Sequence, residues 1–172
     1  RTTVSGGTTV YYYSRNAVTG LSSTTSAQSP LALTNGVTLT SGNTYTVEFY
    51  FQGNCGTTSG QLQFTSSGSA TYTNLIWITA GRPTSSSTLI NPETRVVAVT
   101  GGTVANVTSA GTGGTWFMSG VGKIIVTGNG TWNPQIAFSV APGATVDANA
   151  GCFVRISLAS TTGTPTSSGT WS

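Results

Sequence analysis

The sequence predicts an all-β chain, an antiparallel β-sandwich or jelly roll, on three observations. Apolar residues recur at period two in short runs bounded by Gly, Ser, Asn and Pro, as half-buried strands require. No stretch shows apolar residues at helical spacing with capping signals, and β-branched Thr and Val dominate over strong helix formers. Hydrophobic residues reach 37% against 5% charged, which supplies a core and departs from the composition of a disordered chain.

Strands are expected at residues 8–13, 30–33, 36–40, 45–51, 61–64, 71–79, 94–99, 116–127, 134–140 and 152–158. The clearest is 45–51, where Tyr45, Val47, Phe49 and Phe51 share one face and Thr46, Glu48 and Tyr50 the other. In 152–158, Val154, Ile156 and Leu158 oppose Phe153, Arg155 and Ser157. In 8–13, Tyr12 opposes Tyr11 and Tyr13. Eight to ten strands in two packed sheets are expected, within one domain spanning 1–160. Residues 161–172, punctuated by Pro and Gly, read as a flexible or peripheral tail. Neither an internal repeat nor an interdomain linker is visible.

Chemistry-bearing residues are scarce. The 172 residues include no His and three carboxylates, Glu48, Glu93 and Asp147; the cations are Lys123 and five arginines. Proton transfer, nucleophilic attack and metal binding need such groups close together. A two-carboxylate glycosidase would have to draw on Glu48, an outward strand position, Glu93, a turn residue after Asn91-Pro92, and Asp147. A Ser-Lys pair would need Lys123, but no Ser-x-x-Lys precedes it. Ser119, four residues back, is expected on the opposite side or in a different register. No ligand cluster suggests a metal, although Asp147 with backbone carbonyls is a conceivable calcium site. The expectation is a non-enzyme with no catalytic, cofactor or metal residues to assign.

The net charge of +3 rests on scattered cations, so no phosphate-binding surface forms in the sequence and no nucleic-acid partner is expected. No apolar run is long enough to span a membrane, and nothing resembles a signal peptide. The chain does not begin with Met, so it reads as processed, trimmed or a piece of something longer. Cys55 and Cys152 are expected to be separate thiols. The alternative is a disulfide, worth about 4 kcal/mol on a chain-entropy model. The sequons at Asn106 and Asn129 carry little weight in a Thr-rich chain.

Two local features have structural readings. Asn133-Pro134 reads as a turn before a strand carrying Ile136 and Phe138, with Ala141-Pro142-Gly143 as the next turn. Gln135 and Asn133 are expected to satisfy backbone groups or a neighbouring subunit rather than a ligand. Trp132, next to Gly128-Asn129-Gly130, is expected to be buried beside Ile136. The remaining aromatics read as core or subunit interface, with sugar stacking as the functional alternative.

Several stretches resemble a family of tailed-phage virion domains, found at the ends of tail-fibre, spike and minor capsid (capsid-fibre) proteins of marine and cyanobacterial phages. They are Gly7-Thr-Thr-Val-Tyr-Tyr-Tyr13, Leu21-Ser-Ser-Thr-Thr-Ser-Ala-Gln-Ser29, Gly36-Val-Thr-Leu-Thr-Ser-Gly-Asn-Thr-Tyr45 and Thr73-Asn-Leu-Ile76. Residues 123–126, Gly130-Thr-Trp-Asn-Pro-Gln-Ile-Ala-Phe-Ser-Val-Ala-Pro-Gly143 and Ala150-Gly-Cys-Phe-Val-Arg-Ile156 continue the likeness in the same order. The resemblance implies a trimeric head similar to tumour-necrosis-factor-like jelly rolls, projecting from a virion assembled in the host cytoplasm. Other virion proteins and a host-surface glycan or protein receptor would be its partners; no receptor-binding residue is implied. Alternative readings are a capsid decoration (cement) protein and a secreted carbohydrate-binding module or adhesin. Aromatics on both strand faces separately call for a partner over the second face. Closed symmetry then allows a dimer or ring, and the resemblance selects three copies.

Overall fold

The computed structural model describes residues 9–13, 16–33, 36–56, 60–81, 93–100, 104–108, 114–144 and 146–160. The strands are β1 (Thr9–Tyr13), β2 (Val18–Leu21), β3 (Val37–Leu39), β4 (Thr44–Asn54), β5 (Leu62–Ser67) and β6 (Thr71–Gly81). They continue with β7 (Glu93–Thr100), β8 (Ala105–Asn106), β9 (Thr115–Gly128), β10 (Gly130–Phe138), β11 (Val146–Ala148) and β12 (Phe153–Ser160). No helix occurs among the described residues. The chain is therefore all-β, and its sheets are antiparallel.

Eight strands form a large sheet in the order β1-β12-β4-β9-β6-β7, with β11 beside the far end of β4 and β2 beside β11. A smaller sheet has the order β3-β10-β5-β8. The arrangement is compatible with a β-sandwich, because the inner faces of both sheets meet in one core. Val47, Phe49 and Phe51 enter it from β4, and Leu62 and Phe64 from β5. The Phe49 and Phe64 rings stack across the sheets with centroids 5.3 Å apart, and Phe51 stacks on Phe49 at 4.9 Å. Trp132 is buried, as the sequence predicts, together with Ile136 and Phe138.

Several expectations need correction. Among the described residues there are twelve strands against the expected eight to ten, because β2, β8 and β11 are too short for a periodic pattern to reveal. Residues 30–33 are not a strand. The Ala32 amide donates to the Ser29 carbonyl at 3.2 Å, and Ala32 takes a φ of 49°, closing a turn after Pro30. Glu93 opens β7 opposite Ala80 rather than occupying a turn. Asn133-Pro134 lies inside β10, and that strand ends at Phe138 rather than continuing to residue 140.

Pro134 is tolerated within β10 because of where its missing N–H would point. Ile136, of the same parity, exchanges backbone hydrogen bonds with Gln28, whereas Trp132 pairs with Val37 of β3. Pro134 sits in the gap between these two partners, so no ladder bond is lost. Asn133 fastens the same gap: its side-chain amide donates to the Leu33 carbonyl at 3.0 Å.

Buried polar groups are paired in the same local way. The Thr108 hydroxyl accepts the Leu62 amide at 2.9 Å, and the Ser66 and Tyr72 hydroxyls share a short hydrogen bond. Burial raises the Tyr72 phenol above its ordinary value, against the opposing effects of Ser66 and the neighbouring Trp132. The Trp132 N–H itself falls short of a formed hydrogen bond.

Gly120 of β9 faces Phe49 in register, and a Cβ there would run into the Phe49 ring. Gly120→Val is expected to cost about 1–3 kcal/mol in urea unfolding, and Phe49→Leu should recover part of that loss. The raised Tyr72 value has its own consequence. The folded chain holds this proton more tightly, so its contribution to stability is complete below the ordinary tyrosine value of about 10 and declines as pH rises through the folded one. Burial would also raise Tyr45, but hydrogen bonds from Asn43 and Thr40 outweigh it and lower the phenol, partly offsetting this decline. Tyr72→Phe should flatten the alkaline loss, while costing about 1 kcal/mol at neutral pH by removing the partner of Ser66. Urea midpoints of both proteins across the alkaline range check this.

Candidate functional site

Residues paired directly across an antiparallel ladder share a face, so the register of the large sheet defines rows on its outer side. One row runs Arg155, Glu48, Val121, Trp77 from β12 through β4 and β9 to β6. The next runs Phe153, Tyr50, Ser119, Thr79, and a third Ser157, Thr46, Lys123. At the ends, Tyr11 and Tyr13 of β1 pair with Arg155 and Phe153, and Val96 of β7 pairs with Trp77.

This face carries the main exposed apolar surface of the large sheet. Val121 is 58% exposed and Trp77 49%, side by side in one row. Tyr50 and Phe153 are half-buried, with their rings tilted and centroids 6.5 Å apart. Between these flanks lie the small residues Ser119 and Thr79, which leave a shallow hollow of about 350 Å³. The Ser119 hydroxyl donates to the Thr79 carbonyl at 3.5 Å, and the Tyr50 hydroxyl to Gln52 Oε1 at 3.1 Å. Beside the hollow, the Glu48 carboxylate and Arg155 guanidinium form an ion pair at 2.5 Å.

The described side chains weighed as catalytic from the sequence, Glu48, Asp147, Ser119 and Lys123, are not brought together. Glu48 does face outward as predicted. Asp147 of β11 pairs with Asn54, six residues farther along β4, which is about 20 Å at the rise of a strand. Carboxylate pairs in glycosidases lie about 5–10 Å apart. Asp147 instead accepts the Gly20 amide at 3.0 Å. Ser119 and Lys123 share the outer face but stand two rows apart, the second of the two expected arrangements, since four residues along a strand preserve the side. That spacing of about 13 Å still prevents a hydrogen bond between them. Glu93 has a described backbone only, in β7. Among the described residues no group of three His, Cys, Asp or Glu is placed to hold a metal ion.

The two cysteines are not joined: Cys152 is buried and Cys55 half-buried. Burial pushes the Cys152 thiol up, opposed by the Gln52 amide, which donates to its sulfur. Of the amides weighed as ligand groups, Asn133 is buried and serves the chain's own backbone. Asn129 and Asn106, the sequon asparagines, are exposed, and their side-chain oxygens accept from the Ser41 amide and from Gln63. The 161–172 tail lies outside the described residues. Among those described, no helix is long and apolar enough to cross a membrane.

Comparison with protein-family models, curated proteins and solved structures finds no match to this chain. The functional reading therefore rests on the chain's own geometry and the resemblance in its sequence.

Trp77 and Val121 were not singled out from the sequence as surface residues. The signal was present: Trp77 stands between Ile76 and Ile78, both fully buried, so strand alternation turns it outward. In denaturant without reductant, thiol titration should find two reactive groups per chain. In the native protein Cys152 should react far more slowly, because the thiolate is the nucleophile and this thiol is buried and raised. A single count of zero in denaturant would reveal a disulfide.

Proposed function

We propose that this chain is a non-enzymatic structural protein of a phage virion: a trimeric fibre or spike head that projects from tail or capsid and takes part in host attachment. The observation that carries the reading is the strand order. Setting aside β6, β7 and the short β2 and β11, the chain crosses between sheets at every step except β5 to β8, giving β1-β12-β4-β9 facing β3-β10-β5-β8. Two interleaved four-stranded sheets are the winding of an eight-stranded jelly roll, the fold implied by the sequence resemblance. The β6–β7 hairpin extends this frame beyond β9.

Composition supports the same role. A surface rich in Ser and Thr, with few charged groups, suits a particle component that functions without turnover or cofactor. A second reading, a carbohydrate-binding module, is favoured by one observation: the half-exposed Trp77 ring stands beside Ser119 and Thr79, an apolar platform with polar neighbours of the kind on which sugar rings stack.

Cryo-electron microscopy of particles encoding the chain tests the first reading. Density for three copies at the tip of a projecting fibre or spike is the expected result. A flat location between capsomers would favour a decoration protein, and absence from the particle would overturn the virion reading. The purified protein should not turn over polysaccharides or model esters. Turnover abolished by changing Glu48, Asp147 or Lys123 would contradict the non-enzymatic assignment.

A further inference from the structure

We infer that the outer face of the large sheet is where a second copy of this chain docks, with the Glu48–Arg155 ion pair enclosed near the centre of the contact. This deepens the multi-copy reading, on which it rests, by assigning the surface and the polar element that selects the partner.

The dimensions of the face favour a protein over a small ligand. Its rows cross six strands and recur every second residue, giving a plan of roughly 25 Å by 25 Å from ordinary strand spacings. That is about 600 Å² before the relief of the side chains is counted, near the roughly 800 Å² that each partner contributes to a stable association. A sugar ring would cover only the hollow and leave Val121, among the most exposed large apolar side chains, in water.

Relief and charge make a second copy the fitting occupant. The Val121–Trp77 ridge runs beside a trough floored by Ser119 and Thr79 and flanked by Tyr50 and Phe153. One copy's ridge can therefore lie along the next copy's trough, a head-to-tail contact that a three-fold rotation closes into a ring. The described charged side chains of the face are Glu48, Arg155 and Lys123, and the first two neutralise each other. Apposed copies thus avoid a broad like-charge field.

The ion pair supplies a test that separates docking from folding. In the single chain its side chains are 40% and 55% exposed, so breaking it should hardly affect the fold. Under a docked copy, removing one partner leaves the other charge buried and uncompensated, which strongly disfavours association.

Multi-angle light scattering at micromolar concentration is the experiment, on the unaltered chain and on Val121→Lys, Glu48→Gln, the exchange Glu48→Arg with Arg155→Glu, and Thr38→Lys. Thr38 is exposed on the smaller sheet and serves as a control. The unaltered chain and Thr38→Lys should have the mass of three chains. Val121→Lys and Glu48→Gln should dissociate at least 100-fold more readily with an unchanged circular dichroism spectrum, and the exchange should restore part of the assembly. If Val121→Lys does not fold, Glu48→Gln alone decides. An assembled chain indifferent to both substitutions would overturn this face while leaving the multi-copy reading intact. A monomeric unaltered chain would overturn both, and quenching of its Trp fluorescence by a neutral glucan oligosaccharide, lost in Trp77→Ala, would give the face to a sugar.

Discussion

The Phe49 ring is the contact around which the two sheets are organised. It projects from the centre of β4, stacks on Phe51 of the same strand and lies nearly parallel to Phe64 across the core, with 3° between those two ring planes. Gly120 on the neighbouring strand leaves it the space. Once that stack is formed, parity fixes much else. Val47, Phe49 and Phe51 point inward, so Thr46, Glu48 and Tyr50 must point out. A one-residue slip of β4 would place Glu48 in the core and Phe49 in water, an exchange of an ion for an aromatic that the register strongly resists.

The same constraint creates the exposed face. The large sheet has eight strands and the smaller one four, and both inner faces are occupied by a common core. The outer side of the large sheet then holds whatever residues alternate with the core, including Trp77 and Val121. A sheet with one solvated face ordinarily carries polar residues there. Here Trp77 of β6 and Val121 of β9 interrupt that pattern, and exposed apolar side chains grouped in this way mark a surface that is costly to leave in water. The Glu48–Arg155 pair adds no net charge to that surface.

Polar chemistry in the interior follows a different logic from the surface. Ser66, Tyr72, Thr108 and Asn133 are buried, yet each serves a partner of the chain itself. In β10 the side chain of Asn133 ties the segment before β3 to a strand that cannot use the nitrogen of Pro134. A dipeptide that looks like a turn in sequence is thereby accommodated inside a sheet. The carboxylates, by contrast, are spread along the strands. Glu48 serves Arg155 and Asp147 serves the Gly20 amide, so neither is grouped for chemistry.

The sequence by itself determined the all-β class, the alternation of faces along β4 and β12, and the burial of Trp132. Alternation at period two is local information, readable wherever a strand is long enough to repeat. It could not reveal β2, β8 and β11, whose two to four residues show no period and are strands only because a neighbour supplies the ladder bonds. The turn at Pro30 and the strand through Pro134 were misread for the same reason: which backbone groups need partners depends on what lies alongside. The candidate site was legible in part, through Glu48, Arg155, Tyr50 and Phe153 on outward positions. Their meeting with Trp77, Ser119 and Val121 was not, because β6, β9, β4 and β12 are adjacent in the sheet but far apart in the chain, and only tertiary pairing sets their rows.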